Sequence, residues 1–389
     1  MVTLSTADNA LKALYLSVVS DQLNTNTNPL FNRFKQTESD VWGKEIIKLA
    51  PYGVNGGIGA GTETDTLPKS AENRYAQFKL SLKNLYGAIE ISDKAIRASA
   101  NNAGAFVNLL NAEMDGLIKA SKFNFGRMLF GDGSGKLATV VSATGKTITL
   151  DTIQYLMEGM VIDVCSEMGV GKSGLTTRRI VAVDRANKKI VVDGADIASS
   201  SVTNTDIITV QGSFNNEITG LGAIFGNSQT LYSIDRANNA WLKPYNATMA
   251  NISDMGIQTA IDELENVSGS SADFICCSYG VRRAYQDYLR KTSYNVNSME
   301  LEGGYKAISF NGIPLVADRF VAPKTMYILN TAEFSLHQLC DWRWLEGEDG
   351  KVLKQVASKP IYTATLVKYA DLICNKPSGQ AVLTGITEA

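Results

Sequence analysis

The chain has 389 residues, of which 44% are hydrophobic and 20% are charged, and its formal net charge is −2. This composition predicts a folded protein of two or three compact units and excludes a disordered chain. The near-zero charge excludes a general nucleic-acid binder, which would carry a basic excess. Because the sequence opens with no basic and apolar leader and contains no run of membrane-spanning length, we expect a protein without a membrane partner, made in the cytoplasm.

The cysteines and the single histidine argue against a metal site and against catalysis. The five cysteines occur without CxxC spacing, at Cys165, Cys276, Cys277, Cys340 and Cys374. They predict buried free thiols in a reducing compartment, and zinc is not expected because ligand spacing is missing. Any Ser-His-Asp or Cys-His machinery would need His337, which lies in an apolar-flanked run, so we predict a structural histidine. We expect no enzyme and no cofactor.

The N-terminal stretch, up to about Asn32, reads as an arm. A polar run from Asn24 to Asn28 and then Pro29 close it. Helical spacing comes before that run, at Leu11, Leu14, Tyr15 and Val18. We predict an extended arm with one short amphipathic helix rather than part of a core.

A long hairpin is predicted next. Residues 45–49 lead out, and residues 77–83 lead back with strict apolar and polar alternation, so one face of the returning strand packs on something. Glycine is concentrated between them, and glycine loses the most conformational entropy on ordering. An isolated two-stranded hairpin is also marginal in water, so we expect a neighbouring chain to hold the tip. The candidate contact residues are Gly56, Gly57, Gly59, Gly61 and Lys69. The alternative is an unattached surface loop.

The next 120 residues predict one long helix followed by strands. Apolar residues from Val107 to Met128 recur at three- and four-residue steps, which predicts a helix of roughly 30 Å that ends at the glycine-rich segment 130–135. Five short strands separated by turns follow, at 147–150, 160–164, 179–183, 189–192 and 207–210. They predict a small β-barrel or sandwich inserted into the host unit.

After Gly220 the pattern is mixed. Helical spacing occurs at 257–264 and 281–289, and strand patterns occur at 273–277, 313–317, 326–329 and 363–367. This predicts an α+β unit. The aromatic residues of this half fit a ligand platform or a subunit interface, and core packing explains them at least equally well. They are Tyr232, Trp241, Tyr245, Trp342 and Trp344.

Two motifs invite an enzymatic interpretation. In Gly169-Val170-Gly171-Lys172-Ser173 a phosphate loop would need glycine at Ser166 and a helix after Ser173, yet a strand follows quickly. We predict a hairpin turn. In segment 131–135 the late glutamate of a calcium loop is missing, and a helix-ending turn is favoured there.

Taken in order, several segments resemble tailed-bacteriophage major capsid proteins with the Hong Kong 97 fold. The resemblance covers most of the chain and depends on the order of the segments rather than on any one of them. Besides the arm and the hairpin, the segments that carry it are 89–97, the long helix, 129–135, 217–221, 310–318 and 369–372.

The resemblance implies an α+β capsid fold with a defined layout. It comprises an N-terminal arm (1–44), an E-loop hairpin (45–91) and a peripheral domain with the spine helix (92–136). An inserted β domain (137–212), an axial domain (213–361) and strands returning to the peripheral domain (362–389) complete it.

The implied function is structural. Pentamers and hexamers of this chain would form an icosahedral or prolate head around double-stranded DNA, without sequence-specific binding, in a virion assembled in the host cytoplasm. The implied partners are further copies of the chain, a portal protein and a scaffolding protein, with a decoration protein left open. The scaffolding protein is expected as a separate chain because only about 45 residues precede the hairpin. Some relatives cross-link an E-loop lysine, for which Lys69 or Lys79 would serve, but we expect no cross-link here.

Two alternatives remain at this stage. An encapsulin-like nanocompartment shell shares the fold and holds protein cargo. A nucleotide hydrolase would use Lys172 in a degenerate phosphate loop.

Overall fold

The computed structural model describes residues 28–38, 45–64, 66–94, 103–292, 298–301, 305–347, 350 and 352–389. The helix predicted in the N-terminal arm, around residues 11–18, lies outside the described residues. No described helix is both long enough and apolar enough to cross a membrane.

Strands dominate the chain. In the described part of the chain, the α-helices are α1 (Ala103–Met128), α2 (Leu221–Phe225), α3 (Asp254–Ser268) and α4 (Tyr279–Lys291). The strands of the first half are β1 (Lys35–Thr37), β2 (Glu45–Gly53), β3 (Arg74–Ser81), β4 (Lys83–Ser92), β5 (Lys136–Thr144), β6 (Thr147–Leu150), β7 (Val161–Cys165), β8 (Arg178–Asp184), β9 (Lys189–Val192) and β10 (Ile207–Val210). The strands of the second half are β11 (Thr230–Leu231), β12 (Ile234–Asp235), β13 (Tyr245–Thr248), β14 (Phe274–Cys277), β15 (Ser298–Leu301), β16 (Tyr305–Phe310), β17 (Ile313–Ala317), β18 (Met326–Leu329), β19 (Phe334–Trp344), β20 (Lys354–Gln355), β21 (Ile361–Cys374) and β22 (Ala381–Thr384).

A five-stranded sheet is built around β21, whose 14 residues are rich in β-branched and aromatic side chains. One edge of β21 pairs with β19 and β20, and β1 extends the sheet beyond β19 in parallel. The other edge pairs with β4 over ten residues. The long helix α1 packs on β4 where Gly87 leaves room for Leu117, since a Cβ at Gly87 would lie 2.9 Å from the Leu117 side chain. The predicted long helix is confirmed.

Strands β5 to β10 form a closed six-stranded barrel in the order β10-β5-β6-β9-β8-β7. Its interior is filled by aliphatic side chains such as Ile148, Ile162, Ile190 and Ile208. Closure removes the exposed sheet edges that an open arrangement of short strands would leave. The sequence predicted five of these strands and missed β5, because a register shift between Val140 and Ser142 interrupts its alternation.

The chain enters and leaves the barrel at one place. The Asn215 amide donates to the Ser134 carbonyl at 2.9 Å, and the Leu221 amide donates to the Leu129 carbonyl at 2.8 Å. Gly135, with φ +79°, fits here because a Cβ would lie 2.5 Å from the Ser213 carbonyl oxygen. The two crossing segments are therefore held side by side, and the barrel extends from them.

A seven-stranded mixed sheet forms a second centre, in the order β13-β22-β18-β14-β17-β16-β15. Helices α3 and α4 cover it with Ile257, Leu264 and Tyr285. Both helices begin at a serine whose side chain accepts a backbone N–H, Ser253 for α3 and Ser278 for α4. The α+β pattern predicted for this half is present.

The C-terminal strands differ from the expected division at residue 361. β19, which lies in the predicted axial range 213–361, pairs with β21 in the five-stranded sheet. β22, which lies in the predicted return range 362–389, pairs with β13 and β18 in the seven-stranded sheet. The reason is burial, because Ala381, Val382 and Leu383 are all covered and need a sheet that is enclosed on both faces.

The cysteines of the described residues are free, as predicted. Four of them are buried, and Cys340 is partly exposed. Burial raises the pKa of Cys277 to about 12 and raises the pKa of Cys276 well above its usual value. These thiols are therefore protonated and unreactive near neutral pH.

A buried ion pair closes the end of α1 onto the segment that leaves the barrel. Arg127 Nη1 donates to Glu217 Oε2 at 2.8 Å, and Nη2 donates to Oε1 of the same carboxylate. The Arg127 and Glu217 side chains are only 3% and 2% exposed. Arg127 Nε also donates to Asn124 Oδ1 at 3.2 Å. A bidentate ion pair of this kind fixes the relative orientation of the two side chains as well as pairing their charges.

Removing one partner of this pair leaves the other charge buried. We expect Arg127→Met to lower the free energy of unfolding by about 3–5 kcal/mol, measured by urea denaturation. The matched control is the double variant Arg127→Met with Glu217→Leu, which removes both charges and recovers most of the loss. An equal loss in the single and double variants would contradict the assignment.

Asp371 is a buried carboxyl on β21. Its Oδ1 accepts from the Thr219 amide at 2.7 Å and from the Leu372 amide at 2.9 Å, and its Oδ2 accepts from Thr219 Oγ1 at 3.2 Å. Burial nevertheless raises the pKa of Asp371 to about 6, because desolvation of the charged form outweighs these donors. The folded state therefore binds this proton more tightly than the unfolded chain does.

This shift gives a pH dependence with a definite sign. Since the folded pKa is raised, the stabilisation is fully present below the unfolded pKa and is lost as the pH rises through about 6. We expect the stability of Asp371→Asn, which retains Oδ1 as the acceptor, to rise by about 2 kcal/mol relative to that of the unsubstituted protein as the pH increases from 4 to 7. Urea denaturation across this range measures the difference, and a difference that does not vary with pH would contradict the assignment.

Candidate functional site: the projecting hairpin

Strands β2 and β3 form a two-stranded sheet of their own. Their register pairs Ile46 with Leu80 and Lys48 with Phe78, so the alternation read from the sequence places one face inward. We expected the returning part of the hairpin to continue to residue 91. Instead β4 leaves it and pairs with β21, because Leu85, like the other apolar residues on its face, is buried there.

An aromatic group at the base holds the inner face of the hairpin. We call this group the base cluster, and its members are Tyr52, Phe78, Tyr232 and Trp241. The Phe78 ring lies 5.0 Å from the Tyr232 ring and 5.9 Å from the Trp241 ring, and Tyr52 stacks on Trp241 at 5.1 Å. Two hydrogen bonds support it, from the Lys79 amide to the Tyr232 carbonyl (3.1 Å) and from Ser233 Oγ to the Lys79 carbonyl (3.4 Å).

Tyr232 carries the connection from the hairpin to the five-stranded sheet. It lies with Ser233 in the two-residue turn between β11 and β12, with φ values of 51° and 67°, an uncommon conformation for residues other than glycine. Its hydroxyl accepts from the Cys374 amide at 2.8 Å and donates to the Leu372 carbonyl at 3.4 Å. Burial raises the pKa of Tyr232 well above its usual value, so the hydroxyl keeps its proton.

The outer face of the hairpin is apolar and exposed. Ile47, Leu49 and Tyr75 alternate with the buried residues of the same strands and point away from the base cluster, and Ile47 is 58% exposed. Apolar side chains this exposed on neighbouring strands are uncommon on a solitary subunit and mark surfaces that contact a partner.

The tip, residues 54–73, contains all five predicted contact residues, and Gly56, Gly59, Gly61 and Lys69 are exposed while Gly57 is partly covered. Three apolar side chains in the tip, Val54, Ile58 and Leu67, are 88%, 87% and 90% exposed. These three side chains were not among the predicted contact residues, although isolated apolar residues in a glycine-rich polar segment are a usable signal.

Two glycines in the tip, Gly57 and Gly59, allow a close approach of chain segments rather than an unusual backbone conformation. At Gly57 a Cβ would lie 3.2 Å from the Ala71 amide nitrogen, and at Gly59 it would lie 3.1 Å from the Pro68 ring. Neither residue has the positive φ that favours glycine. The outgoing and returning parts of the tip therefore lie side by side well beyond the strands.

Lys172, the centre of the phosphate-loop alternative, lies in the barrel. Its Nζ is 3.1 Å from Asp206 Oδ1, and Asp206 is only 1% exposed. Gly171 pairs with Cys165 in an isolated bridge, so this segment is a hairpin turn, as predicted. Because a phosphate loop needs a helix after the lysine and a lysine free for phosphate, this geometry contradicts the nucleotide-hydrolase alternative.

His337 is structural, as predicted. Its Nε2 lies 3.0 Å from Ser335 Oγ, but the histidine is 1% exposed within β19, so a substrate does not reach this pair. Among the residues that the structure describes, no group of histidine, cysteine and acidic side chains is placed to hold a metal ion.

Neither the protein-family models nor the curated proteins give a match to this chain. Several solved structures match the chain. A chain of the cyanophage A-1(L) capsid asymmetric unit matches with a TM-score of 0.56 and 12% identity, covering 95% of this chain and 93% of that chain. A structure of Mycobacterium phage Adephagia matches with a TM-score of 0.48 and 10% identity (94% and 92% covered). The SrpI encapsulin of Synechococcus elongatus PCC 7942 matches with a TM-score of 0.46 and 11% identity (95% of each chain). The chain therefore shares its fold with a chain of the cyanophage capsid.

Removal of the Tyr232 hydroxyl tests how the base of the hairpin is held. We expect Tyr232→Phe to retain the ring contact with Phe78 and to lower the free energy of unfolding by about 1–3 kcal/mol, because the buried Cys374 amide loses its acceptor. Chemical denaturation measures this loss, and hydrogen exchange at Lys79 should become faster. The control is Tyr75→Phe on the exposed face, where we expect a change within about 0.5 kcal/mol. Equal effects in the two variants would contradict the role of Tyr232.

Proposed function

We propose that this protein is the major capsid protein of a tailed bacteriophage, a structural subunit that assembles into pentamers and hexamers of the head shell. The observation that carries the proposal is the projecting hairpin, whose outer face and tip expose apolar residues. The fold shared with a cyanophage capsid chain supports it. In this proposal the shell is icosahedral or prolate, encloses double-stranded DNA and assembles in the host cytoplasm.

The Hong Kong 97 layout assigns a role to each part of the chain. The hairpin is the E-loop, and α1 with the five-stranded sheet is the peripheral domain. The seven-stranded sheet with α3 and α4 is the axial domain, and the barrel is an inserted domain. The adjacent entry and exit of the barrel support its assignment as an insertion, because such a unit can be added to a host fold without separating the strands around it.

Docking of the hairpin on a neighbouring copy explains its surface. Burial of one exposed Val, Leu or Ile side chain contributes about 1.5–3 kcal/mol, so the outer face and tip together offer several kcal/mol to an interface. That contribution exists only when a neighbour is present, and it offsets the cost of ordering the tip. Ile47 and Leu49 are candidates for this contact together with Gly56, Gly57, Gly59, Gly61 and Lys69.

The charge of the chain suits a DNA container. A strongly basic wall would bind phosphate at many places and impede packing of the genome, whereas a net charge of −2 does not. A separate scaffolding protein and a portal protein are the partners this function needs, and a decoration protein is a further candidate.

Assembly is the direct test. The purified chain, alone at high concentration and co-expressed with the scaffolding protein of its phage, should form shells visible by negative-stain electron microscopy. Shells that contain DNA after infection support the capsid function, whereas shells that hold only a protein cargo would indicate a nanocompartment. A chain that remains a monomer under both conditions would overturn the proposal.

Substitution on the outer face of the hairpin should block assembly without unfolding the subunit. We expect Ile47→Glu to abolish shells, measured by sedimentation, because it places a charge in the docking face. Its stability as a free subunit should change by no more than about 0.5 kcal/mol, since Ile47 is exposed opposite Lys79.

The matched control is Val181→Glu. Val181 is also a strand residue and is 59% exposed, close to the 58% of Ile47, but it lies on the barrel. Shells should form with Val181→Glu. Normal assembly of Ile47→Glu would count against docking through this face.

A further inference from the structure

The chain contains two Asn-Gly dipeptides, Asn55-Gly56 and Asn311-Gly312. Both asparagines are exposed. In such a pair the backbone nitrogen of glycine can attack the side-chain amide of asparagine, because glycine has no Cβ to obstruct the approach. The structure holds the two pairs in different ways.

Asn311 is restrained. It occupies, with Gly312, the two-residue turn between β16 and β17, where the φ values are 47° and 85° and Phe310 pairs with Ile313. Its side-chain Nδ2 donates to Gln258 Oε1 at 2.9 Å. The flanking strand pairing fixes the backbone, and this hydrogen bond restrains the side-chain amide.

Asn55 lies in the tip, beyond the end of β2, where no strand pairing fixes its backbone. Its Oδ1 accepts from the Gly57 amide at 2.9 Å. This N–H draws electron density from the amide carbonyl and is placed to stabilise negative charge on Oδ1 when a nucleophile adds to Cγ. The nucleophile is the Gly56 nitrogen, which lies between these two residues in the chain.

We propose that Asn55 is a self-modification site. The Gly56 nitrogen bonds to Asn55 Cγ while the Cγ–Nδ2 bond breaks, and Nδ2 leaves as ammonia with the proton from the Gly56 nitrogen. Water then adds to one of the two carbonyls of the resulting succinimide. Opening on one side gives aspartate and opening on the other gives isoaspartate.

The product changes the tip in two ways. A neutral amide becomes a carboxylate, which adds one negative charge, and the isoaspartate form also inserts a methylene into the main chain. The next step rests on the proposed shell function. The modification accumulates in undocked subunits, because a neighbour packed over the tip slows the reaction by restricting the backbone. The fraction of subunits with a negative charge at residue 55 then increases with the time that they remain undocked.

The test compares both dipeptides in one sample. The full chain, purified as free subunits, is incubated at neutral pH, and peptide mass spectrometry follows conversion of amide to acid at each asparagine. We expect Asn55 to react at least about tenfold faster than Asn311, a ratio that corresponds to about 1.4 kcal/mol in activation free energy. Equal rates at the two sites would overturn the proposal.

A variant tests the chemistry without disturbing the fold. Gly56→Ala adds a Cβ that fits at van der Waals distance, 3.8 Å from the Ala71 Cβ, and this Cβ obstructs attack by the nitrogen of the same residue. We expect at least a tenfold slower reaction at Asn55 and no change at Asn311. An unchanged rate at Asn55 would overturn the cyclisation step.

Assembled shells test the protection separately. We expect the Asn55 rate to fall in shells relative to free subunits, with Asn311 as the internal reference. An unchanged rate in shells would overturn protection by docking, while the modification site itself is decided by the free-subunit comparison. A failure of the shell function is distinguished from both, because it appears as an absence of particles.

Discussion

A two-stranded sheet is marginal in water, and this constraint governs the molecule. The hairpin made by β2 and β3 is held at its base, where the Phe78 ring contacts the rings of Tyr232 and Trp241. Tyr232 is fixed in turn by the Cys374 amide. The direction in which the hairpin projects is therefore set by the same strand that forms the centre of the five-stranded sheet. A rigid base with an exposed apolar end is what a subunit needs if neighbours are to complete its packing.

Elements whose residue pattern is local could be predicted from the sequence. Burial of one face leaves a regular pattern of apolar residues in the sequence. This pattern predicted the strand at residues 77–83, the long helix α1 and the short strands of the barrel. Helices α3 and α4 were predicted over part of their length, at 257–264 and 281–289, from their helical spacing. The contact residues of the tip were identified from composition alone, and their docking remains a prediction.

Elements defined by distant partners were not predictable. Tyr232 looks like an ordinary aromatic residue in the sequence, and only the fold brings it to Phe78 and Cys374. The bulge in β5 hides its period, and the pairing of β22 with β13 joins residues more than a hundred positions apart. The Arg127 and Glu217 pair is of the same kind, since the whole barrel lies between them in the chain. Long-range partners leave no local signature, and the layout implied by the family resemblance assigned β19 and β22 to the wrong sheets.

The route of the final strands has a consequence for synthesis. β21 pairs with β4, β19 and β20, and β22 pairs with β13 and β18, so the last strands of the chain enter both large sheets. Neither sheet is complete until residues 361–384 have left the ribosome. Segments synthesised earlier thus keep open strand edges until β21 and β22 have emerged, and such edges expose a nascent chain to aggregation during that interval.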